Sequence, residues 1–337
     1  MNRRQLLAAP LALAACAPAE ARIDIPPLKS KAPFPLGVAA MTEQFADPAW
    51  GELARTHFDR VTPEWEMKAE AFAQGAGFDW SRPDGLVAEA TRRGLGVFGH
   101  TVVWYTQVPK RFEGLAGAAF ERAYADYVRS VVHRYRGRLA GWDVVNEPVR
   151  DDGEGYRTGH GWERGLGMDY VRLAFEHAHA ADPDAVLLLN DYNLEQLPQK
   201  RRDFLRLAEG LLKAGAPLGG LGTQTHVPAD LPRGAIAETV RELGGLGLPV
   251  HVSELDVSTN RARGPAHQEA LVAEVVEAVM ALPQAQRFGV TLWGARDRDS
   301  WLNRPPERDP LRPDRPLLFD DNGRAKSLAQ AFVEALH

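Results

Sequence analysis

Short apolar segments rich in β-branched residues alternate along this chain with longer segments of helical character. The strand-like segments lie at residues 36–40, 58–62, 95–104, 140–146, 185–191, 219–226, 249–256 and 288–293. Between them, apolar side chains recur at every third or fourth position, as they do across residues 120–135, and this spacing favours amphipathic helices. Eight strands alternating with eight helices predict a (β/α)8 barrel, because crossover helices cover a parallel sheet that closes on itself.

The main alternative fold is a doubly wound open sheet, which the same alternation can also build. Such a sheet usually carries a glycine-rich phosphate loop after its first strand, and no such loop follows residues 36–40. The chain has 337 residues, of which 45% are hydrophobic, and this is enough for one large domain. The sequence therefore predicts a single barrel domain over residues 31–337.

The N-terminal residues predict an export signal. Arg3 and Arg4 precede a short apolar run that ends at Cys16, which is the layout of a signal peptide with a twin-arginine character. Cys16 is the only cysteine, so it cannot form an internal disulfide, and the Leu-Ala-Ala before it resembles a bacterial lipobox. We therefore expect removal of residues 1–15, lipidation of Cys16, a tether over residues 16–30 and a periplasmic or cell-surface location. The alternative is ordinary cleavage, which would release a secreted protein.

Charge and hydropathy narrow the class of partners. The formal net charge is −5, which gives no reason to expect nucleic acid or an anionic membrane surface as a partner. No apolar stretch of about 20 residues follows the N-terminal run, so the lipid anchor is the only membrane contact that we expect. A barrel of this kind can work alone, and we expect a monomer.

Two of the predicted strands end in a glutamate. Residues 141–148 read GWDVVNEP and include Glu147, and residues 250–256 read VHVSELD and include Glu254. A carboxylate at the end of a buried strand has to leave water, which is tolerable only if it is paired or used. In a (β/α)8 barrel such strand ends face one another at the active-site mouth. Two carboxyl groups there favour a glycosidase, in which one donates a proton and the other attacks or stabilises the sugar cation.

Other polar and aromatic side chains cluster at the C-terminal ends of the same strands, whereas the N-terminal ends are plain. They are Glu64, Trp65, Lys68, His100, Trp104, Gln107, Asn146, Asn190, Asp191, Tyr192, Asn193, Gln224, His226, Asp256, Trp293 and Trp301. Because active sites of these barrels lie at that face, the asymmetry favours an enzyme.

Five segments together resemble glycoside hydrolase family 10, the retaining endo-β-1,4-xylanases. They read VTPE at 61–64, HTVVW at 100–104, WDVVNEP at 142–148, GTQTH at 222–226 and SELD at 253–256. Each is weak alone, but they occur in the family's order and on the expected strand ends. The resemblance covers the chain from about residue 36 to the C-terminus.

The resemblance implies hydrolysis of internal β-1,4-xylosidic bonds in xylan or xylo-oligosaccharides by double displacement. It implies Glu147 as the general acid/base, which should hold a proton before the reaction, and Glu254 as the nucleophile. It further implies that Asn146 contacts the 2-hydroxyl of the sugar at the cleavage site, and that His226, backed by Asp256, keeps Glu254 ionised. No cofactor or metal is expected, because the carboxyl groups carry the chemistry.

The resemblance also implies a set of sugar-binding side chains around these carboxyl groups. Those expected on the non-reducing side are Glu64, Lys68, His100, Trp104 and Gln107. The remaining candidates are Trp293 and Trp301 as aromatic walls, Tyr192 and Asn193 on the leaving-group side, and Gln224 beside His226. Tryptophan suits such a cleft, because the C–H faces of sugars stack on indole.

Two positions and one loop depart from the family pattern. Trp65 stands where the family usually has asparagine, and Tyr105 stands where it usually has histidine. We hypothesise that Trp65 either narrows the non-reducing side or adds a stacking platform. The loop after the last strand carries the arginines Arg296, Arg298, Arg304, Arg308, Arg312 and Arg315. These arginines could recognise a glucuronic acid branch, or they could form a surface loop paired with its own Asp297, Asp299, Glu307 and Asp309.

Three other functions remain as alternatives. A neighbouring retaining glycosidase acting on β-glucan, mannan or galactan would share the barrel and both glutamates. A non-catalytic, lipid-anchored sugar-binding protein would keep the tryptophans but need not keep both carboxyl groups. A metal-dependent barrel hydrolase would need ligands such as a His-x-His pair at a strand end. The pair His177 and His179 lies instead on a predicted helix.

Overall fold

A computed structural model describes residues 23–337 of the chain except residues 74, 76 and 260–263. The predicted signal peptide, Cys16 and most of the predicted tether lie outside the described residues. No helix in the described part of the chain is long and apolar enough to span a membrane.

Ten short strands form the core sheet of the described chain. They are β1 Leu36–Ala40, β2 Arg60–Pro63, β3 Gly96–Val97, β4 Gly99–Trp104, β5 Gly141–Asn146, β6 Val186–Asp191, β7 Gly220–Thr223, β8 His226–Pro228, β9 Val250–Ser258 and β10 Arg287–Leu292. Neighbouring strands pair in parallel in the order β3-β2-β1-β10-β9-β7-β6-β5-β4, and β8 adds to β9.

The two ends of this order, β3 and β4, are halves of one segment interrupted at Phe98. The backbone N–H of Phe98 donates to Val61 of β2 at 2.9 Å, while the N–H of Ala140 donates to Val97 at 2.9 Å on the other side. Hydrogen bonding therefore continues around the ring. β7 and β8 likewise divide the sixth predicted strand, so the predicted (β/α)8 barrel is confirmed.

Ten α-helices accompany these strands in the described residues. They are α1 Pro48–His57, α2 Ala69–Phe72, α3 Ser81–Arg92, α4 Gly117–Arg134, α5 Gly161–Leu166, α6 Asp169–Ala181, α7 Pro198–Lys213, α8 Ala235–Gly244, α9 Pro265–Ala281 and α10 Ser327–Glu334. In α4 the apolar residues of the predicted stripe, among them Phe120, Tyr124 and Val128, are buried against the sheet. The helical spacing in the sequence thus identifies the face of the helix that packs against the sheet.

Within the core, small residues on one strand make room for large side chains of the neighbouring strand. An added Cβ at Gly99 would lie 2.1 Å from Cε3 of Trp142, whose side chain is fully buried. Glycine at the start of β4 therefore lets the indole from β5 occupy the core.

The packed domain begins earlier than the predicted boundary at residue 31. Residues Leu28–Ser30 form a short 3-10 helix, and the side chain of Leu28 is buried in the core. The Leu28 N–H donates to His57 Nδ1 at 3.3 Å, and Lys29 Nζ donates to the Arg55 carbonyl at 2.7 Å. Residues 28–30, which were expected to belong to the tether, therefore pack on the end of α1. The burial of the Leu28 side chain stabilises this position.

Candidate active site

The two glutamates come together at the C-terminal face of the barrel. Glu147 follows directly after β5, and Glu254 lies within β9. Both are buried, with 9% and 4% of their surface exposed. Buried carboxyl groups require polar partners, and each of the two has a distinct set.

Neutral donors surround the carboxyl group of Glu147. Trp104 Nε1 donates to Oε2 at 2.8 Å, while Gln224 Nε2 and Asn146 Nδ2 donate to Oε1 at 2.9 and 3.0 Å. The backbone of Glu147 is left-handed, with φ 59°, which is unusual for a residue other than glycine. Such strain persists only where the surroundings fix it, and it is common at functional sites.

A charged pair surrounds the carboxyl group of Glu254. His226 Nε2 lies 3.2 Å from Glu254 Oε2, and His226 Nδ1 lies 2.7 Å from Asp256 Oδ2. Burial alone would lower the pKa of His226, but the carboxylates of Asp256 and Glu254 outweigh it and raise that pKa to about 10. A protonated His226 can donate to both acids.

Three basic side chains together lower the pKa of the nucleophile candidate. Burial would raise the pKa of Glu254, but the neighbouring His100, His226 and Lys68 outweigh burial and hold the pKa below its ordinary value. The two carboxyl groups of the site thus have different environments: one faces neutral donors and the other faces a cation.

An amide chain joins the two carboxyl groups. Asn190 Nδ2 donates to Asn146 Oδ1 at 2.9 Å and to Glu254 Oε1 at 3.2 Å. Its own oxygen accepts from Ser253 Oγ at 2.8 Å, which fixes the orientation of the amide. Asn190 is a strand-end residue for which the family resemblance implies no role. Its position at the C-terminal end of a predicted strand, one strand along the chain from that of Asn146, is the signal that could have identified it.

Four predicted sugar-binding residues form one wall of the site. Lys68 Nζ lies 4.9 Å from the ring centroid of Trp104 and 5.9 Å from that of Trp293, and the rings of His100 and Trp293 are 5.4 Å apart. His100 Nδ1 lies 2.9 Å from Asp143 Oδ2 beneath the wall. Burial raises the pKa of Asp143 to about 6, and His100 opposes that rise.

Trp301 is tied to the histidine–aspartate pair. Its Nε1 donates to Asp256 Oδ2 at 2.9 Å, and its ring centroid is 5.2 Å from that of His226. Trp301 is partly exposed, so it can both support Asp256 and face the cleft.

Three other candidate residues are engaged away from the two carboxyl groups. Arg304 Nη2 donates to Glu64 Oε2 at 2.8 Å. Gln107 exchanges hydrogen bonds with Glu70, accepting from its backbone N–H at 2.9 Å and donating to Oε2 at 3.0 Å. Asn193 accepts from Gln196 Nε2 at 2.7 Å. Glu64 is therefore bound by the loop after the last strand, and Gln107 by Glu70 of α2.

Two partners in the arginine-rich loop, Asp299 and Asp297, agree with the surface-loop interpretation, whereas a third, Asp47, lies directly before α1. Arg296 pairs with Asp299 and Asp47, Arg298 pairs with Asp47, and Arg315 lies near Asp297. Arg308 and Arg312 are exposed. Arg304 differs, because its partner Glu64 belongs to the predicted sugar-binding set.

The two departures from the family pattern both contact an arginine. The guanidinium carbon of Arg82 lies 4.7 Å from the ring centroid of Trp65, and that of Arg157 lies 4.4 Å from the ring centroid of Tyr105. In each case the cation covers one face of the aromatic ring. Within residues 23–337, outside the gaps, no group of three His, Cys, Asp or Glu side chains is arranged to hold a metal ion.

Comparison with known proteins gives consistent results. The family model described as "Glycosyl hydrolase family 10" matches residues 28–335. The "Endo-1,4-beta-xylanase A" of Cellvibrio japonicus is 33% identical over 348 residues, which cover 92% of this chain and 56% of that protein. The chain thus spans about half the length of this curated relative.

Solved structures share the fold over nearly their whole length. Xylanase XynB from Paenibacillus barcinonensis, complexed with a conduramine derivative, aligns with a TM-score of 0.84 at 30% identity, over 92% of this chain and 98% of that chain. A mutant of xylanase A from P. fluorescens subsp. cellulosa, in complex with xylopentaose, aligns with a TM-score of 0.81 at 32% identity, over 92% of this chain and 99% of that chain.

Proposed function

Because this chain belongs to glycosyl hydrolase family 10, we propose that it hydrolyses internal β-1,4-xylosidic bonds of xylan or xylo-oligosaccharides with retention of anomeric configuration. The observation that carries this proposal is the contrast between the two buried carboxyl groups. Glu254 lies against the cationic His226, whereas Glu147 lies among neutral donors. The first group is thereby held as a carboxylate that can attack, and we assign the proton transfer to the second.

In the first step Glu254 attacks the anomeric carbon while the glycosidic bond breaks. Glu147 gives its proton to the departing oxygen, so the leaving sugar departs as an alcohol. The products of this step are a glycosyl ester on Glu254 and an ionised Glu147. The Glu147 carboxylate formed here is stabilised by the N–H donors of Trp104, Gln224 and Asn146.

In the second step a water molecule replaces the enzyme at the anomeric carbon. Glu147 takes a proton from this water as it attacks, and the bond to Glu254 breaks. The carboxylate of Glu254 leaves readily, because protonated His226 lies 3.2 Å from its Oε2. Two inversions at one carbon give net retention, and both side chains return to their starting protonation states.

The neighbouring groups act on the sugar. Asn146 is held between Glu147 and Asn190, which fixes its amide for contact with the 2-hydroxyl. Lys68, His100, Trp104 and Trp293 form a wall for the sugar at the cleavage site, in keeping with the packed geometry of their rings. We further propose sugar contacts by Glu64, Gln107, Tyr192, Gln224 and Trp301.

Hydrolysis of linear xylan by the full chain tests the proposal. We expect release of xylobiose and xylotriose, loss of release in Glu254→Gln, and unchanged release in Glu238→Gln, a matched change on α8. Hydrolysis of β-glucan or mannan with none of xylan would contradict the substrate and favour a neighbouring glycosidase. Binding of xylan without product would contradict catalysis and favour a sugar-binding protein.

We further propose that the chain is exported, anchored through a lipid on Cys16 and monomeric. The arginine pair, the apolar run and the lone cysteine support export and lipidation. Labelling with radioactive palmitate in a bacterial host should mark the wild type and not Cys16→Ser. Label in both proteins, or in neither, contradicts the anchor, and a dimer by light scattering contradicts the monomer.

A further inference from the structure

We propose that Lys200 is a positioning residue for Glu147, and that it acts through Asp191 and the backbone turn that carries Glu147. The inference rests on the proposed role of Glu147 as acid/base. Lys200 lies on α7, outside the five family-like segments, and it takes no part in the two chemical steps.

The environment of Lys200 is unusual for a lysine. Its side chain has no exposed surface, and Nζ lies 2.8 Å from Asp191 Oδ1 and 2.8 Å from Asp151 Oδ1. Nζ also lies 3.6 Å from the ring centroid of Tyr192. A fully buried ammonium group is tolerated only when it is paired, so this site is built around the cation.

Asp191 connects this cation to the turn after β5. Its Oδ2 accepts the backbone N–H of Val149 at 3.0 Å, while its Oδ1 faces Lys200. Asp191 has no exposed surface, and burial raises its pKa to about 6 against the opposing effect of Lys200. Lys200 therefore keeps Asp191 charged, and Asp191 is the acceptor for the backbone N–H of Val149, which lies two residues after Glu147.

Arg157 holds the same turn from the other side. Its Nε donates to the Glu147 carbonyl at 3.0 Å, and its backbone N–H donates to the Pro148 carbonyl at 2.8 Å. Its Nη2 reaches Tyr192 Oη at 2.7 Å, and Tyr192 donates in turn to Asp151 at 2.6 Å. One network of charged and hydroxyl groups thus runs from Lys200 to both sides of the turn.

The turn needs such support because Glu147 is left-handed, with φ 59°. A strained residue relaxes when the contacts on either side of it weaken. Without the cation, Asp191 would be a buried carboxylate with no ammonium partner, and it would take up a proton or move. The Val149 N–H would then lose its charged acceptor, and the Glu147 side chain would lose its fixed direction.

A misplaced Glu147 has a specific chemical signature. Departure of a sugar alcohol requires a proton from Glu147, whereas departure of dinitrophenolate does not, because this leaving group is stable as an anion. Loss of positioning should therefore slow the cleavage of xylo-oligosaccharides and spare the first step on an activated aryl xylobioside. A loss of folded protein would slow both substrates equally.

The test compares Lys200→Met with the wild type, using the full chain. For xylotetraose we expect kcat/KM to fall about tenfold or more, within the range of general acid catalysis. For 2,4-dinitrophenyl β-xylobioside we expect kcat/KM to change less than about twofold. We also expect azide to raise kcat on this substrate, because azide attacks the glycosyl ester without a general base. Lys213→Met, a change to an exposed lysine on the same helix, should leave both substrates unaffected.

The double variant Lys200→Met/Asp191→Asn covers the case in which Lys200→Met does not fold. The double variant no longer has an unpaired Asp191 carboxylate in the core, and it still lacks a charged acceptor for the Val149 N–H. We therefore expect the same selective loss on xylotetraose. Equal losses on both substrates, or no loss, in the folded variant would overturn the inference. An inactive wild type would instead contradict the proposed function, which separates the two failures.

Discussion

His226 Nε2 lies 3.2 Å from Glu254 Oε2, and this contact links a cation to the carboxyl group that we propose as the nucleophile. The cation exists because Asp256 and Glu254 together raise the pKa of His226 to about 10, although burial alone would lower it. Glu254 in turn has a lowered pKa, although burial opposes this. Each group therefore favours the charged form of the other.

The first prediction concerns the pH dependence of His226→Gln. The attacking carboxyl group must be ionised, so the acid limb of kcat/KM follows its pKa in the free enzyme. Because removal of the cation raises the pKa of Glu254, the acid limb should move to higher pH. The measurement is kcat/KM against pH on an aryl xylobioside, with His177→Gln on α6 as control. An acid limb that stays in place or moves to lower pH contradicts this assignment.

The second prediction concerns Asn190→Ala. Asn190 donates to Glu254 and orients Asn146, so its loss affects the nucleophile and the sugar contact together. We expect kcat/KM to fall at least about tenfold on both xylotetraose and an aryl xylobioside, since preorganised donors contribute this much or more. Asn322→Ala in an exposed turn serves as the control. A fall confined to xylotetraose would show that Asn190 acts through Glu147 instead.

The third prediction concerns Trp65, whose indole is covered on one face by Arg82. Trp65→Asn restores the family residue, and we expect it to change the ratio of rates on xylobiose, xylotriose and longer oligomers by about two- to tenfold, the scale of one aromatic contact. A rise for longer oligomers indicates that the indole narrows the cleft, and a fall indicates a platform. Trp65→Phe keeps an aromatic ring and serves as control. Unchanged rates across all lengths would reject the hypothesis.

The fourth prediction concerns stability and uses two glycines. Gly99→Ala places a Cβ 2.1 Å from the Trp142 ring, so we expect the free energy of unfolding to fall by about 1–3 kcal/mol or more. Gly85→Ala, within α3, has no atom within 4 Å of its new Cβ and should raise that free energy by about 0.5–1 kcal/mol. Urea denaturation measures both. Equal effects of the two substitutions contradict the packing at β4.

Much of the fold and the centre of the site could be predicted from the sequence, because two local patterns mark them. Apolar periodicity located the strands and helices, and polar residues at strand ends located Glu147 and Glu254. The interruption at Phe98 was not visible, since the hydrogen-bond register between neighbouring strands leaves no mark in the pattern of apolar residues.

The missed residues act across the chain rather than within a motif. Lys200 stands among the charged residues of an amphipathic helix, where a lysine is usually solvated, and only the approach of α7 to Asp191 buries it. Arg304 was one of six loop arginines, and its contact with Glu64 depends on how a long loop folds over the barrel mouth. Such contacts between distant segments cannot be read from local spacing.

The central claim is that Glu254 forms a covalent bond to the sugar. Incubation of the full chain with 2,4-dinitrophenyl 2-deoxy-2-fluoro-β-xylobioside tests it, because the fluorine slows both steps and the leaving group lets only the first proceed. We predict a mass increase of one fluoroxylobiosyl group, found by peptide mapping on Glu254. A label on another residue, or an active enzyme that turns over without any covalent adduct, would contradict the mechanism.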